Sequence, residues 1–233
     1  MSNKRTAAGR RAPGRAQRSS GTSPWLWVGI GAVVVAAAVW AVLASRGSEE
    51  VSGEIGTPVT VDGEPLAVFQ ASEGDAAVGQ AAPRVEGVSF DGEPVAISGQ
   101  GPQILVFLAH WCPHCQNEVP QIVAATSSPD WPESVTVTGV TTATDDNREN
   151  YPPSAWLEGE GWAFPTLADD ADSGAAGAYG ISGFPYMVFI DADGNVALRT
   201  SGELGADTFL ALADALAKGE PLATPGAGAA SGT

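Results

Sequence analysis

The stretch from Ile104 to Pro120 constrains this chain more than any other. An apolar run, Ile104 to Ala109, ends at Trp111-Cys112-Pro113-His114-Cys115, and a polar, then amphipathic segment follows. The pattern reads as a buried strand, a tight turn and a helix over about residues 113–125 whose first turn carries both cysteines. Pro113 suits the first helical position, where a missing N–H loses nothing. Cys112 and Cys115 are the only cysteines among the 233 residues. Two residues separate them, the spacing of a dithiol that opens and closes reversibly.

The chemistry of such a pair depends on this placement. A thiolate, not a thiol, attacks a disulfide, and the unpaired N–H groups and macrodipole at a helix N-terminus favour negative charge there. Cys112 occupies that position, and Cys115, one turn further in, is placed to resolve a mixed disulfide. His114 adds to thiolate stabilisation if it is protonated or donates a hydrogen bond. The same residues allow another reading. His110, Cys112, His114 and Cys115 form an H-x-C-x-H-C pattern that could hold copper or zinc through thiolate and imidazole. Four side chains on a tight turn and one helical turn seldom converge, and His110 is more simply a local structural residue. Haem attachment is excluded, because Gln116 follows the second cysteine where a histidine is required.

Charge divides the chain. Residues 1–46 hold seven of the 11 basic residues and no acid, and all 27 acids follow. Nucleic-acid binding by the acidic part is therefore excluded. Residues 1–24 are basic, lack periodicity and read as a cytoplasmic disordered segment. Residues 25–44 carry no charge and are long enough to cross a bilayer, with Trp25, Trp27 and Trp40 towards the two ends as interfacial aromatics are. The arginine-rich side should stay in the cytoplasm, which places the C-terminal domain outside: a single-pass membrane protein. A cleaved signal peptide ending at Ala44 is the competing reading, and the apolar run is long for one. Residues 45–78 read as a linker with a possible short hairpin near 59–69, and residues 219–233 as a disordered tail.

Between them lies a globular stretch, and at 44% hydrophobic residues the chain has the material for a core. Val85 to Phe90 and Glu93 to Ile97 read as a hairpin through Asp91-Gly92. Val135–Val140 alternates as a strand, Thr141–Asn150 is a polar loop, and Pro152–Gly159 suggests a short helix with Trp156 and Leu157 inward. Phe164–Leu167 reads as extended and Asp169–Ala178 as a helix. Tyr186–Ile190 and Val196–Thr200 flank an Asp193-Gly194 turn, and residues 206–217 form an amphipathic helix. Pro120 lies inside the dithiol helix and should kink it.

Trp-Cys-Pro-His-Cys after a buried strand resembles the thioredoxin superfamily, in particular its membrane-anchored TlpA/ResA/DsbE-like thiol–disulfide oxidoreductases. Gly79-Gln80-Ala81-Ala82-Pro83 is similar to the opening of such domains, and Tyr179-Gly-Ile-Ser-Gly-Phe-Pro185 is similar to the segment that carries their cis-proline. The resemblance implies a thioredoxin-like α/β fold over residues 79–218, with a mixed central sheet, helices on both faces and an N-terminal β-hairpin. It makes Glu118 the candidate proton acceptor or modulator of the cysteine pair. Pro185, with Phe184, would present backbone against which a substrate segment pairs, and Trp111 would shape the docking face. Protein thiols or disulfides are the implied substrates and a membrane redox protein the implied partner. The protein is expected to be a monomer and to need no cofactor. The Pro-His dipeptide matches the oxidising DsbA, whereas Glu118 and the TlpA-like frame match reductants such as those serving apocytochrome c. A moderately oxidising couple is therefore expected. The opening is shared with thiol peroxidases, but Ala109 stands where their Thr-x-x-Cys pattern has threonine.

Overall fold

The computed structural model describes residues 53–70, 74–99 and 101–223. The candidate membrane segment 25–44, the basic segment before it and the tail from residue 224 lie outside the described residues. Among those described, no helix is long and apolar enough to cross a membrane.

The sheet is built around the run that dominates the sequence. Strand β4 (Gln103–Leu108) is buried at all six positions. It pairs in parallel with β5 (Thr136–Thr141) and antiparallel with β7 (Tyr186–Ile190). Beyond β5 lies β6 (Thr166–Ala168), also parallel, and beyond β7 lies the antiparallel β8 (Val196–Ser201). On the far side of β6 the antiparallel strands β2 (Arg84–Val88) and β1 (Thr60–Asp62) complete the order β1-β2-β6-β5-β4-β7-β8, and β3 (Pro94–Ile97) pairs antiparallel with β2.

A strand buried on both faces needs apolar residues at every position, because successive side chains point to opposite sides. Ile104, Val106 and Leu108 face one layer with Val119 and Ile122 of helix α1 (Pro113–Thr126). Trp156 and Leu157 of α2 (Pro153–Gly159) and Phe209, Leu212 and Leu216 of α4 (Ala206–Ala217) complete that layer. Leu105 and Phe107 face the other, with Val85, Leu66, Tyr179 and the alanines of α3 (Gly174–Ala178). Helices therefore cover both faces of a mixed sheet, and the first turn of α1 follows directly on the C-terminal end of the central strand.

Three local differences from the sequence reading have physical causes. The helix expected over 169–178 is helical only from Gly174, because Asp169 and Asp170 turn their carboxylates onto the backbone ahead of it. Asp169 accepts from the Asp170, Ala175 and Ala176 N–H groups, and Asp170 accepts from Asp172 and Gly174. Such local bonding competes with helix. The stretch 59–69 does not fold back on itself: β1 pairs with β2, and the Leu66 and Phe69 N–H groups donate to the Ala178 and Gly180 carbonyls. Nor is the linker loose from Gly53 on. Glu54 accepts from the Ser154 N–H and hydroxyl at the start of α2, and Asp75 forms a buried ion pair with Arg199 of β8.

Candidate functional site

Cys112 caps α1. It has extended backbone, with φ −81° and ψ 118°. Its N–H donates to the Ala109 carbonyl at 3.0 Å, while its own carbonyl accepts the first bond of the helix from Gln116 at 3.1 Å. The side chain is 7% exposed, whereas Cys115 is fully buried. Both carry free thiols. This asymmetry fits an outer attacking sulfur and an inner resolving one. Burial pushes the Cys115 thiol far up, and the neighbouring Cys112 and Glu118 push in the same direction, against a lowering contribution from the Ala109 backbone. Cys115 thus stays protonated until its proton is taken.

The Phe184–Pro185 peptide is cis. The Phe184 carbonyl oxygen lies 3.8 Å from Cys112 Sγ, and its ring meets Trp111 edge-on with centroids 6.1 Å apart. Trp111 Nε1 donates to the Ala143 carbonyl at 2.8 Å. Across its ring lies the Arg148 guanidinium, 4.2 Å from the centroid. Trp111 thus links Ala143, Arg148 and Phe184, and Phe184 in turn borders the outer sulfur.

Glu118 is fully buried and faces the start of α4. One carboxylate oxygen accepts from the Leu204 N–H at 3.1 Å, and both accept from the Gly205 N–H at 3.1 and 3.2 Å. Burial raises its carboxyl above the ordinary glutamate range; those N–H groups oppose the shift without cancelling it, and Glu203 adds to it. The carboxylate is thus tied to a helix N-terminus while still electrostatically coupled to Cys115.

The remaining sequence candidates separate. His110 is 1% exposed. Its Nδ1 donates to the Glu149 carbonyl at 2.7 Å, which leaves Nε2 to accept from the Asp145 N–H at 3.2 Å. Both ring nitrogens are used to hold the loop after β5. His114 is exposed and its Nδ1 meets Glu203 Oε1 at 2.6 Å. No group of three or more His, Cys, Asp or Glu side chains among the described residues is arranged to hold a metal ion. The set His110, Cys112, His114 and Cys115 does not converge on one point, for the reason that the imidazoles are committed elsewhere. Glu203, Arg148 and the Leu204–Gly205 backbone were not legible beforehand. Glu203 meets His114 across 89 positions of chain, and only the Gly202 and Gly205 punctuation marked a turn there.

A mixed sheet with a dithiol at the N-terminus of the helix following its central strand, facing a cis-proline, defines a thioredoxin-fold protein. The chain belongs to the AhpC/TSA family, whose model matches residues 78–199. No curated protein matches the sequence. Among solved structures, a putative thiol:disulfide interchange protein DsbE from Chlorobium tepidum is 24% identical, with a TM-score of 0.50 over 60% of this chain and 96% of that one. A hypothetical protein from Sinorhizobium meliloti is 18% identical, with a TM-score of 0.52 over 63% and 87%. A thioredoxin-family thiol:disulfide interchange protein from Chlorobium tepidum is 23% identical, with a TM-score of 0.49 over 67% and 99%. The likeness to the first two is one of fold.

Proposed function

We propose that this protein is a thiol–disulfide oxidoreductase acting through reversible closure of Cys112 and Cys115, held on the outer face of a bacterial cell membrane by residues 25–44. The observation that carries the reading is the pairing of a nearly buried Cys112 at the helix cap with a fully buried Cys115 one turn further in, beside the Phe184 carbonyl. The family membership supports a redox role of this kind.

In the reducing direction the Cys112 thiolate attacks one sulfur of a client disulfide. A mixed disulfide forms and one client thiolate leaves. Cys115 then loses its proton and its sulfur attacks Cys112 Sγ, which breaks the mixed disulfide, releases the second client thiolate and closes the Cys112–Cys115 bond. Two electrons pass to the client, whose thiolates take up the protons. Oxidation of a client dithiol runs the same steps backwards. Glu118 is a buried carboxylate with a raised affinity for protons whose charge acts on Cys115, and we assign it the proton of the resolving step. The client-facing rim is formed by Trp111, Phe184 and Pro185, and Pro113 and His114 set the helix entry between the sulfurs. The client is an extracytoplasmic protein, either a dithiol to be oxidised or a substrate such as apocytochrome c to be reduced, and a membrane redox protein resets the pair. The protein works as a monomer.

Equilibrating the full-length chain in glutathione buffers tests the reading. A reversible two-electron change should appear in tryptophan fluorescence, with a potential between those of DsbA and thioredoxin, about −120 and −270 mV. Cys112→Ser should lose turnover entirely, whereas Cys115→Ser should accumulate mixed disulfides with clients. Turnover retained in Cys112→Ser, or no reversible couple in the parent, would overturn the assignment. The anchor is tested separately by fractionation, where recovery of the intact chain in the soluble fraction would remove it.

A further inference from the structure

One cation beside the dithiol helix has no counter-charge. Four basic residues follow residue 46: Arg84, Arg148, Arg199 and Lys218. Arg199 is buried against Asp75, and Lys218 is paired with Asp214. Arg84 lies on β2. Arg148 is exposed and lies over Trp111, the residue before Cys112, with its guanidinium carbon 4.2 Å from the ring centroid. Among the described residues no carboxylate pairs with it, although Asp145, Asp146 and Glu149 stand close by in the chain. Asp145 Oδ1 accepts from the Asn147 N–H and amide, and Asp146 Oδ1 accepts from the same amide. Asp145 feels the positive charge of Arg148 without bonding to its guanidinium.

The loop that carries Arg148 is pinned to the residues ahead of the dithiol. His110 holds the Glu149 carbonyl and the Asp145 N–H through its two ring nitrogens, and the Asn150 amide donates to the His110 carbonyl at 3.4 Å. The Arg148 N–H donates to the Asp145 carbonyl at 3.2 Å. At the other end of the loop the Ala143 carbonyl takes the Trp111 indole N–H. A guanidinium can rest on an aromatic face and still offer its forked N–H donors to a carboxylate. Tyr151, 44% exposed, ends the same loop, and Trp, Tyr and Arg are the residues that most often carry the energy of a protein–protein contact.

The dithiol reading above, on which this inference rests, bonds the client's sulfur to Cys112. A client residue one or two positions from that sulfur lies about 3–7 Å further along an extended segment, the scale on which Trp111 flanks Cys112. We propose that Arg148 is a specificity-determining residue: its guanidinium, held over Trp111 and unpaired, takes a carboxylate side chain of the client next to the cysteine that reacts. The favoured clients are polypeptides with aspartate or glutamate beside that cysteine. The formal net charge of −16 does not oppose this. At about 0.15 M salt, charge beyond about 8 Å is largely screened, whereas a carboxylate in contact with Arg148 is well inside that distance.

The test uses the full-length chain, reduced beforehand, and two synthetic peptides that differ at one position. Each peptide closes an internal disulfide, one with glutamate and the other with lysine beside the cysteine. The second-order rate of disulfide reduction is followed by tryptophan fluorescence in stopped flow at about 0.15 M salt and read as the glutamate-to-lysine ratio. The parent should favour glutamate. Arg148→Ala should lower the ratio by about three- to tenfold, and Arg148→Glu should lower it further and favour lysine. Arg148→Lys, which keeps the charge and loses the planar fork, should lie between the parent and Arg148→Ala. A parent that favours lysine would overturn the proposal. So would a ratio unchanged in Arg148→Ala, including one preserved because both peptides slow equally, since Arg148 would then act on the dithiol or on Trp111 and not on the client. If the parent reduces neither peptide and shows no reversible couple, the dithiol reading itself fails, so the two failures are told apart.

Discussion

At the residue scale, Glu118 carries two roles that pull against each other. It accepts the orphan N–H groups at the start of α4, which favours the carboxylate. It is also fully buried near Cys115, and the net direction is upward because burial outweighs those bonds. A carboxyl whose folded value is raised contributes fully to stability below its ordinary value and loses that contribution as pH rises through the raised one. Glu118→Gln has no such loss. Relative to the parent, the variant should therefore gain stability as pH rises above about 4, read as denaturant midpoints across a pH series. A difference that stays constant with pH would contradict the raised value. Its activity should fall about 10²-fold in the resolving step if Glu118 takes the Cys115 proton, seen as a longer-lived mixed disulfide.

At the element scale, α4 holds the site from behind. Phe209 is fully buried and lies against Trp131, with ring centroids 5.8 Å apart, and Phe189, at 6.3 Å. In the same layer are Val119 and Ile122 of α1. Phe209→Ala should cost about 3–5 kcal/mol in urea unfolding, and a cost below about 1 kcal/mol would show that the layer repacks freely. Several elements follow their sequence signals closely: α1 runs Pro113–Thr126 with Pro120 inside it, and α4 covers Ala206–Ala217. Apolar periodicity places them because it is a local property. The helix before Tyr179 was shortened by side-chain bonds from Asp169 and Asp170, which periodicity does not register. Strand β1 went to a partner more than 20 positions away.

At the scale of the whole molecule, the segment ahead of the domain is fastened to it by Asp75. Arg199 of β8 is 1% exposed and donates Nε and Nη2 to the Asp75 carboxylate and Nη1 to the Ala67 and Tyr179 carbonyls. Burial alone would raise the Asp75 carboxyl, but the Arg199 guanidinium and the Ala77 N–H together hold it below the ordinary aspartate range. Asp75→Ala strands a buried guanidinium and should cost about 3–5 kcal/mol. The sign with pH is the opposite of that for Glu118. The Asp75 contribution is complete above its ordinary value and disappears as pH falls through the lowered one, so the gap between parent and variant should close under acid. A gap that persists unchanged into strong acid would mean that the pair's charge is not what stabilises the strap.

The sequence by itself determined where the dithiol sits and which strand and helix carry it. Both rest on short-range signals: an apolar run long enough for one strand, a proline at the first helical position, two cysteines one turn apart. Pro185 opposite the dithiol and Glu118 one turn beyond Cys115 were marked by the resemblance to the thioredoxin superfamily. The tertiary structure alone decided what those groups touch. Glu203 reaches His114 from 89 positions away, and Gly205 reaches Glu118 from 87. His110 spends both ring nitrogens on a loop that carries no periodic signal. Hydrogen bonds and ion pairs between distant segments depend on how the sheet orders its strands and where loops close over them. No local pattern of residues carries that information, so the electrostatic setting of the dithiol became legible only once the chain was folded.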